Sequence, residues 1–211
     1  ILVFDFTSGI TDGMNASYVL GQVDFTTSAA ATTTQNGISA AIRGVAYDTV
    51  NENLFVVDGN NSRVLIHDVS PATITNGQNA VAVIGQTNFT GATTGTTQQT
   101  LNLPFGISFN SNNNRIYVDD LSNRRVMIFN FVQLSTTNPS NATQDTVYSQ
   151  SLSTTQNQGT VTYAITSGSL PTGLSLNTST GEISGTPTVA GSYNFTVQAT
   201  DDNGAIGYFL S

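Results

Sequence analysis

The stretch Leu54-Phe-Val-Val-Asp58, a turn Gly59-Asn-Asn-Ser62 and Arg63-Val-Leu-Ile-His-Asp68 returns 62 residues later as Ile116-Tyr-Val-Asp-Asp120, Leu121-Ser-Asn-Arg124 and Arg125-Val-Met-Ile-Phe-Asn130. Upstream, Gly44-Val-Ala-Tyr47 returns as Gly106-Ile-Ser-Phe109, and Tyr18-Val-Leu-Gly-Gln-Val-Asp-Phe25 as Ala82-Val-Ile-Gly-Gln-Thr-Asn-Phe89. The chain also opens in phase, with Ile1-Leu-Val-Phe-Asp5 matching Val64-Leu-Ile-His-Asp68. Self-similarity at a fixed period marks stacked units that bury their apolar faces only against neighbours. The apolar bursts are short and rich in Val, Ile, Phe and Tyr, and no segment shows capped helical periodicity, so they predict strands and an all-β protein.

Composition narrows the function. Thr, Asn, Ser and Gln make up 88 of the 211 residues, while charged residues are only 9% and the net charge is −8. Five Arg and no Lys against thirteen acids cannot supply the basic footprint that a phosphate backbone needs, so nucleic acid is not an expected partner. With no Cys there is no disulfide framework and no thiolate metal site, and one His cannot build a His-rich one. No apolar run reaches the length of a membrane span, so membrane insertion is not expected. The first residues lack the charged n-region and cleavage site of a secretory leader, which reads as a chain already processed or internal to a longer one.

The repeat phase assigns strands a to d within each unit. Residues 1–6 and 17–23 supply c and d of one unit, and residues 43–48, 54–58, 63–69 and 80–86 supply a complete one. Residues 105–109, 115–119 and 125–132 supply a, b and c of a third. Near-continuous apolar runs imply sheets buried on both faces, as in a β-propeller. On the motif Val-Leu-Gly-Gln-x-x-Phe, then Leu/Ile-Phe/Tyr-Val-x-Asp, an Asn-rich turn and Arg-Val-x-Ile, residues 1–131 resemble the NHL-repeat family of propellers. Nine strands cannot close a ring, and both end units leave edges unpaired. Either upstream blades of the same protein complete it, or another copy does so by strand addition, with Ile1, Leu2, Val3, Phe4 and Phe6 as assembly residues. The expected domains are 1–134 for the incomplete propeller, 135–142 for a linker and 143–211 for a second module.

The turns and loops each carry two readings. Asp58 and Arg63, with Asp120 and Arg125, are either a ligand clamp or a hairpin in which the guanidinium bonds the nearby carboxylate. Thr26–Gly37 and Thr90–Thr100 are either a hydroxyl-rich glycan-binding or O-glycosylated face, or solvated connectors. No aromatic sits in either loop to stack on a sugar. His67 stands where Phe4 and Phe129 stand in the other copies, and reads as a structural residue of its strand.

The polar stretch Leu134–Ala142, with Pro139, reads as a domain boundary, and Arg vanishes after position 125. Beyond it, period-2 alternation places Val161, Tyr163 and Ile165 inward, then Tyr193, Phe195, Val197 and Ala199, then Ile206, Tyr208 and Leu210. The sequence from Leu170 to Asp201 carries Leu-Pro-x-Gly-Leu, Gly-x-Ile-Ser-Gly-Thr-Pro and Gly-x-Tyr-x-Phe-x-Val-x-Ala-x-Asp. On these motifs residues 143–211 resemble the immunoglobulin-like, cadherin-like module found in tandem on bacterial and archaeal surface proteins. Gly173, Gly181, Gly185 and Gly191 fit turns needing positive φ or close backbone approach. Asp201, Asp202 and Asn203 are a weak Ca²⁺ candidate, since cadherin-like modules often bind that ion between neighbours; the competing reading is an Asn-Gly hairpin.

No nucleophile elbow, phosphate loop or His-paired nucleophile is present, so no catalytic residue and no cofactor beyond Ca²⁺ is expected. The expected function is a secreted, non-enzymatic cell-surface structural or adhesive protein, among them a filament or sheath subunit built by β-strand complementation. The alternative is a carbohydrate or protein receptor using the propeller face, with surface glycans as partners. Six sequons, at Asn15, Asn60, Asn88, Asn141, Asn177 and Asn194, are candidate glycosylation sites.

Overall fold

The β-branched and aromatic bursts become strands in a computed structural model, which describes residues 1–7, 9–28, 33–134, 140–155, 157, 159–202 and 206–210. Most of the expected linker, residues 135–139, lies outside that set. No helix among the described residues is long and apolar enough to cross a membrane. The chain divides into two compact units, Ile1–Ser111 with Tyr117–Ile128, and Asn112–Ile116 with Phe129–Ser211.

The first unit follows the phase of the repeat. Strands β1 (Leu2–Val3) and β2 (Tyr18–Val19) pair antiparallel. Strands β3 (Ile42–Asp48), β4 (Asn53–Asp58), β5 (Arg63–Asp68) and β6 (Ala82–Ile84) form a four-stranded antiparallel meander. Strands β7 (Ile107–Asn110), β8 (Arg115–Asp120) and β9 (Arg125–Asn130) form a three-stranded sheet.

Register explains why β4 and β5 are almost wholly buried. Phe55 pairs with Ile66 and Val57 with Val64, placing these four side chains on one face of the meander. Leu54 pairs with His67 and Val56 with Leu65, placing those on the other. Ile38 and Ala80 cover Val56 and Leu65, with Ile1 of the first pair packed against them. On the opposite face the Phe109 ring of β7 lies 5.2 Å from that of Phe55. Burying each such side chain contributes about 1.5–3 kcal/mol, so a strand with two covered faces is a strong anchor for whatever its ends hold.

The second unit is a sandwich. Strand β10 (Gln133–Leu134) pairs with β12 (Thr154–Thr155). Strands β11 (Tyr148–Ser151), β15 (Glu182–Gly185) and β14 (Leu174–Leu176) make one antiparallel sheet in that order. Strands β13 (Val161–Gly168), β16 (Phe195–Asp201) and β17 (Ile206–Leu210) make another. They share a core of Val132, Leu152, Val161, Tyr163, Ile183, Val197, Ala199 and Phe209. Gly173 and Gly185 allow β14 and β15 to cross closely: a Cβ on Gly185 would stand 2.1 Å from the Gly173 carbonyl oxygen. Gly181 also has positive φ, whereas Gly191 has neither positive φ nor a close backbone neighbour.

Two expectations for this core are corrected. Val197 pairs with Phe209 and Ala199 with Gly207, so β17 turns Phe209 to the core, out of phase with the expected Ile206; the side chains of Tyr208 and Leu210 lie outside the described set. Ile165 remains exposed although it alternates with buried Val161 and Tyr163. It lies where the β13–β16 register slips, between Ile165 and Ser167, at the end of the covered stretch.

Candidate functional site

Asp58 closes β4 and Arg63 opens β5, so the antiparallel register sets them opposite each other across the single 3-10 turn Gly59–Asn61. Ser62 leaves that turn with φ 49°, in the left-handed region. Arg63 Nε donates to Asp58 Oδ2 at 2.8 Å, and both side chains are wholly buried. The carboxylate also accepts from the Ser39 backbone N–H at 3.0 Å and from Asn61 Nδ2 at 2.8 Å. The rest of the guanidinium donates to three loop carbonyls: Gly37 at 2.8 Å, Thr34 at 3.1 Å, and Phe89.

The second copy repeats the bonds around the carboxylate atom for atom. Arg125 Nε donates to Asp120 Oδ2 at 2.7 Å, and Asp120 accepts from the Asn102 N–H at 2.6 Å and from Asn123 Nδ2 at 2.8 Å. The Arg125 guanidinium then donates to the carbonyls of Thr96, Thr97 and Thr100 at 2.7, 2.9 and 3.0 Å. A buried ion pair repays its desolvation only when its remaining lone pairs and N–H groups are matched, and here the loops supply the matches.

The Asp and Arg side chains are therefore spent on one another and on backbone, as the hairpin reading expects. The Thr-rich loops keep much of their length exposed or half-buried, as solvated connectors would, but their backbone is tied down. Carbonyls of the first loop are held by buried Arg63 and those of the second by half-buried Arg125; residues 29–32 lie outside the described set. Gln86 adds a second tether, donating from Nε2 to the carbonyls of Ser62 and Thr93 at 3.0 and 2.7 Å and accepting the Thr93 N–H at 3.1 Å. The signal in the sequence was the Arg itself: one carboxylate engages only part of a five-donor group.

His67 is fully buried on the face shared with Leu65, and among the described residues neither ring nitrogen has a hydrogen-bond partner. Burial above all, with the neighbouring Ile1 amine and Arg63 charges, lowers its pKa to about 4. Burial thus keeps the ring neutral near pH 7 and away from solvent.

The residues expected to serve assembly lie on β1 and on either side of it. The Leu2–Val3 strand pairs with Val19 and Tyr18 along one edge, extended by Leu20 N–H to Ile1 O at 2.9 Å. Ile1 and Val3 are half-buried, while Leu2, Phe4 and Phe6 are exposed. All six sequon asparagines are exposed. Asn88 and Asn177 accept local N–H bonds through Oδ1, as turn-forming asparagines do.

Asp201 is buried at the end of β16, and the exposed Asp202 accepts the Thr160 N–H at 2.9 Å. Asn203 lies outside the described residues. Among those described, no three His, Cys, Asp or Glu side chains gather as metal ligands. The second unit also holds an open cavity of about 610 Å³. Tyr148, Tyr193, Phe195, Leu170 and the sequon asparagines Asn141 and Asn194 line it, and among the described residues no charged one does.

Residues 130–209 match the family described as Putative Ig domain. That span contains every strand of the second unit's two three-stranded sheets except Leu210 at the end of β17. No curated protein matches the chain.

Proposed function

We propose that the chain belongs to a secreted, non-enzymatic cell-surface protein, structural or adhesive, in which residues 1–134 are part of an NHL-type propeller, joined by residues 135–142 to an immunoglobulin-like module. Under this reading the protein is a filament or sheath subunit, assembling with copies of itself or with upstream blades by strand complementation at Ile1–Phe6. The Ig-domain match over residues 130–209 carries the surface assignment, because such sandwiches are typical of surface and adhesive proteins and generally non-enzymatic. Support for assembly comes from β1, which is hydrogen-bonded to β2 while Leu2, Phe4 and Phe6 face solvent. An unpaired strand edge beside exposed apolar side chains is a template for another chain.

Electron microscopy of native material tests the reading directly: filaments or a sheath containing the chain are expected. Deleting residues 1–6 should abolish the polymer, and polymers that persist unchanged would sink the strand-complementation step.

A second reading is a carbohydrate receptor. The uncharged, tyrosine-bearing cavity of the second unit favours it, since an aromatic face with amide and hydroxyl neighbours suits a neutral sugar. Glycan-array binding that is lost in Tyr193→Ala would move the assignment there.

A further inference from the structure

We infer that the Val126–Ile128 face of β9 is a docking surface for a second copy of this chain, which meets it with its own Leu2–Phe4 face. The internal repeat supplies the argument. Val126 and Ile128 stand 62 residues after Val64 and Ile66, with the same side chains at both positions. In the first repeat these residues are 0% exposed; in the second Val126 is 63% and Ile128 56% exposed. The cover over the first pair is visible: Ile66 shares its face with Phe55, and the β7 residue Phe109 packs its ring onto Phe55. Val126 and Ile128 thus stand at positions that, one repeat earlier, are buried under a following sheet.

The opposite end of the same unit has the matching deficit. Leu2 and Phe4 stand 63 residues before Leu65 and His67, which are both 0% exposed. Leu2 is 54% and Phe4 40% exposed, while Ile1 is used inside, against the cluster of Val56 and Leu65. By repeat phase, the face left open on β9 is the kind that a following sheet covers, and the face left open on β1 is the kind that a preceding sheet covers.

Because the two surfaces differ, their contact is heterologous. Each docking event leaves one surface of each kind free at the ends, so copies add head to tail until a ring closes or a filament extends. The inference rests on the proposed self-assembly, but assigns it to face packing of sheets rather than to edge pairing alone.

Two full-length variants test it, each spoiling one face at exposed positions: Val126→Asp with Ile128→Asp, and Leu2→Asp with Phe4→Asp. Circular dichroism and melting temperature should match the unsubstituted chain; if either aspartate pair lowers them, the corresponding threonine pair replaces it. By light scattering after size-exclusion chromatography, the unsubstituted chain should form concentration-dependent oligomers, and each variant alone should run at 22.1 kDa. The equimolar mixture should give a 1:1 dimer of twice that mass and nothing larger, since each partner keeps one intact face. A mixture that stays monomeric while the unsubstituted chain oligomerises overturns the face assignment and leaves assembly standing. An unsubstituted chain that is monomeric at its highest soluble concentration overturns both. A dimer in the mixture, with no filament in native material, keeps the interface and removes the filament.

Discussion

Arg63 and Asp58 meet across a single turn, Nε to Oδ2 at 2.8 Å, with both side chains shut off from water. The pair sits at the junction of three segments rather than inside one hairpin, because the same guanidinium holds the carbonyls of Thr34 and Gly37 before the meander and Phe89 after it. Arg125 and Asp120 repeat the pair, but the three carbonyls Arg125 holds, those of Thr96, Thr97 and Thr100, all lie in the loop before its sheet, and its side chain is 30% exposed. The charges organise loops, and the buried sheets between them supply the apolar anchor.

Removing Arg63 should therefore cost more than removing Arg125. Arg63→Ala strands a buried carboxylate and orphans three carbonyls, a loss of about 3–5 kcal/mol in urea unfolding. Arg125→Ala, at a wetter site, should lose roughly half as much. A double variant, Asp58→Leu with Arg63→Met, should recover only part of the loss. Full recovery would show a simple ion pair and no role in holding the loops.

Gly85 and Gly9 share φ +89° but not surroundings. A Cβ on Gly85 would stand 2.7 Å from Leu101 Cδ1 and 2.9 Å from the Ser62 carbonyl oxygen, whereas one on Gly9 meets nothing within 4 Å. Gly9→Ala should cost about 1–2 kcal/mol for the left-handed backbone alone. Gly85→Ala carries the same term plus a clash with buried Leu101 and backbone, and should lose at least about 1 kcal/mol more. Equal midpoints in chemical denaturation would refute the tight packing of this glycine, which has its counterpart in Gly21 against Ile38.

The repeat made the first unit legible because identical strands recur at constant phase: two, four and three strands were expected and are present. The Asp58–Arg63 pair was legible for the same reason. Its three loop acceptors were not: a five-donor group implies further acceptors, but which backbone carbonyls supply them leaves no trace in side-chain identity. The phase of β17 was hidden too. In sequence the alternation of Ile206, Tyr208 and Leu210 hides Phe209, and only the hairpin register sets Phe209 beside Val197.

That register is measurable. Phe209 packs in the core with Val197, Ala199 and Ile183, so Phe209→Ala should cost about 3–5 kcal/mol. Ile165→Ala, at an exposed position on β13 of the same sheet, should cost about 1 kcal/mol or less. Denaturant midpoints that rank the two the other way would restore the phase expected from the alternation.

His67 ties stability to pH. Its folded pKa is lowered to about 4, below the ordinary histidine value of 6.5. Between these values the unfolded chain binds a proton that the folded chain refuses, so unfolding becomes easier as pH falls. The stabilisation is fully present above about pH 6.5 and is lost progressively as pH drops toward 4. The total is about 3 kcal/mol, with about 2 kcal/mol gone by pH 5. Phe stands at the corresponding positions 4 and 129, so His67→Phe keeps a ring in place and removes the titrating group. Unfolding free energies at pH 7.5 and pH 5 should therefore diverge by about 2 kcal/mol less in His67→Phe than in the unsubstituted chain. An unchanged pH dependence would mean that the carboxylates alone set the acid limit of the fold.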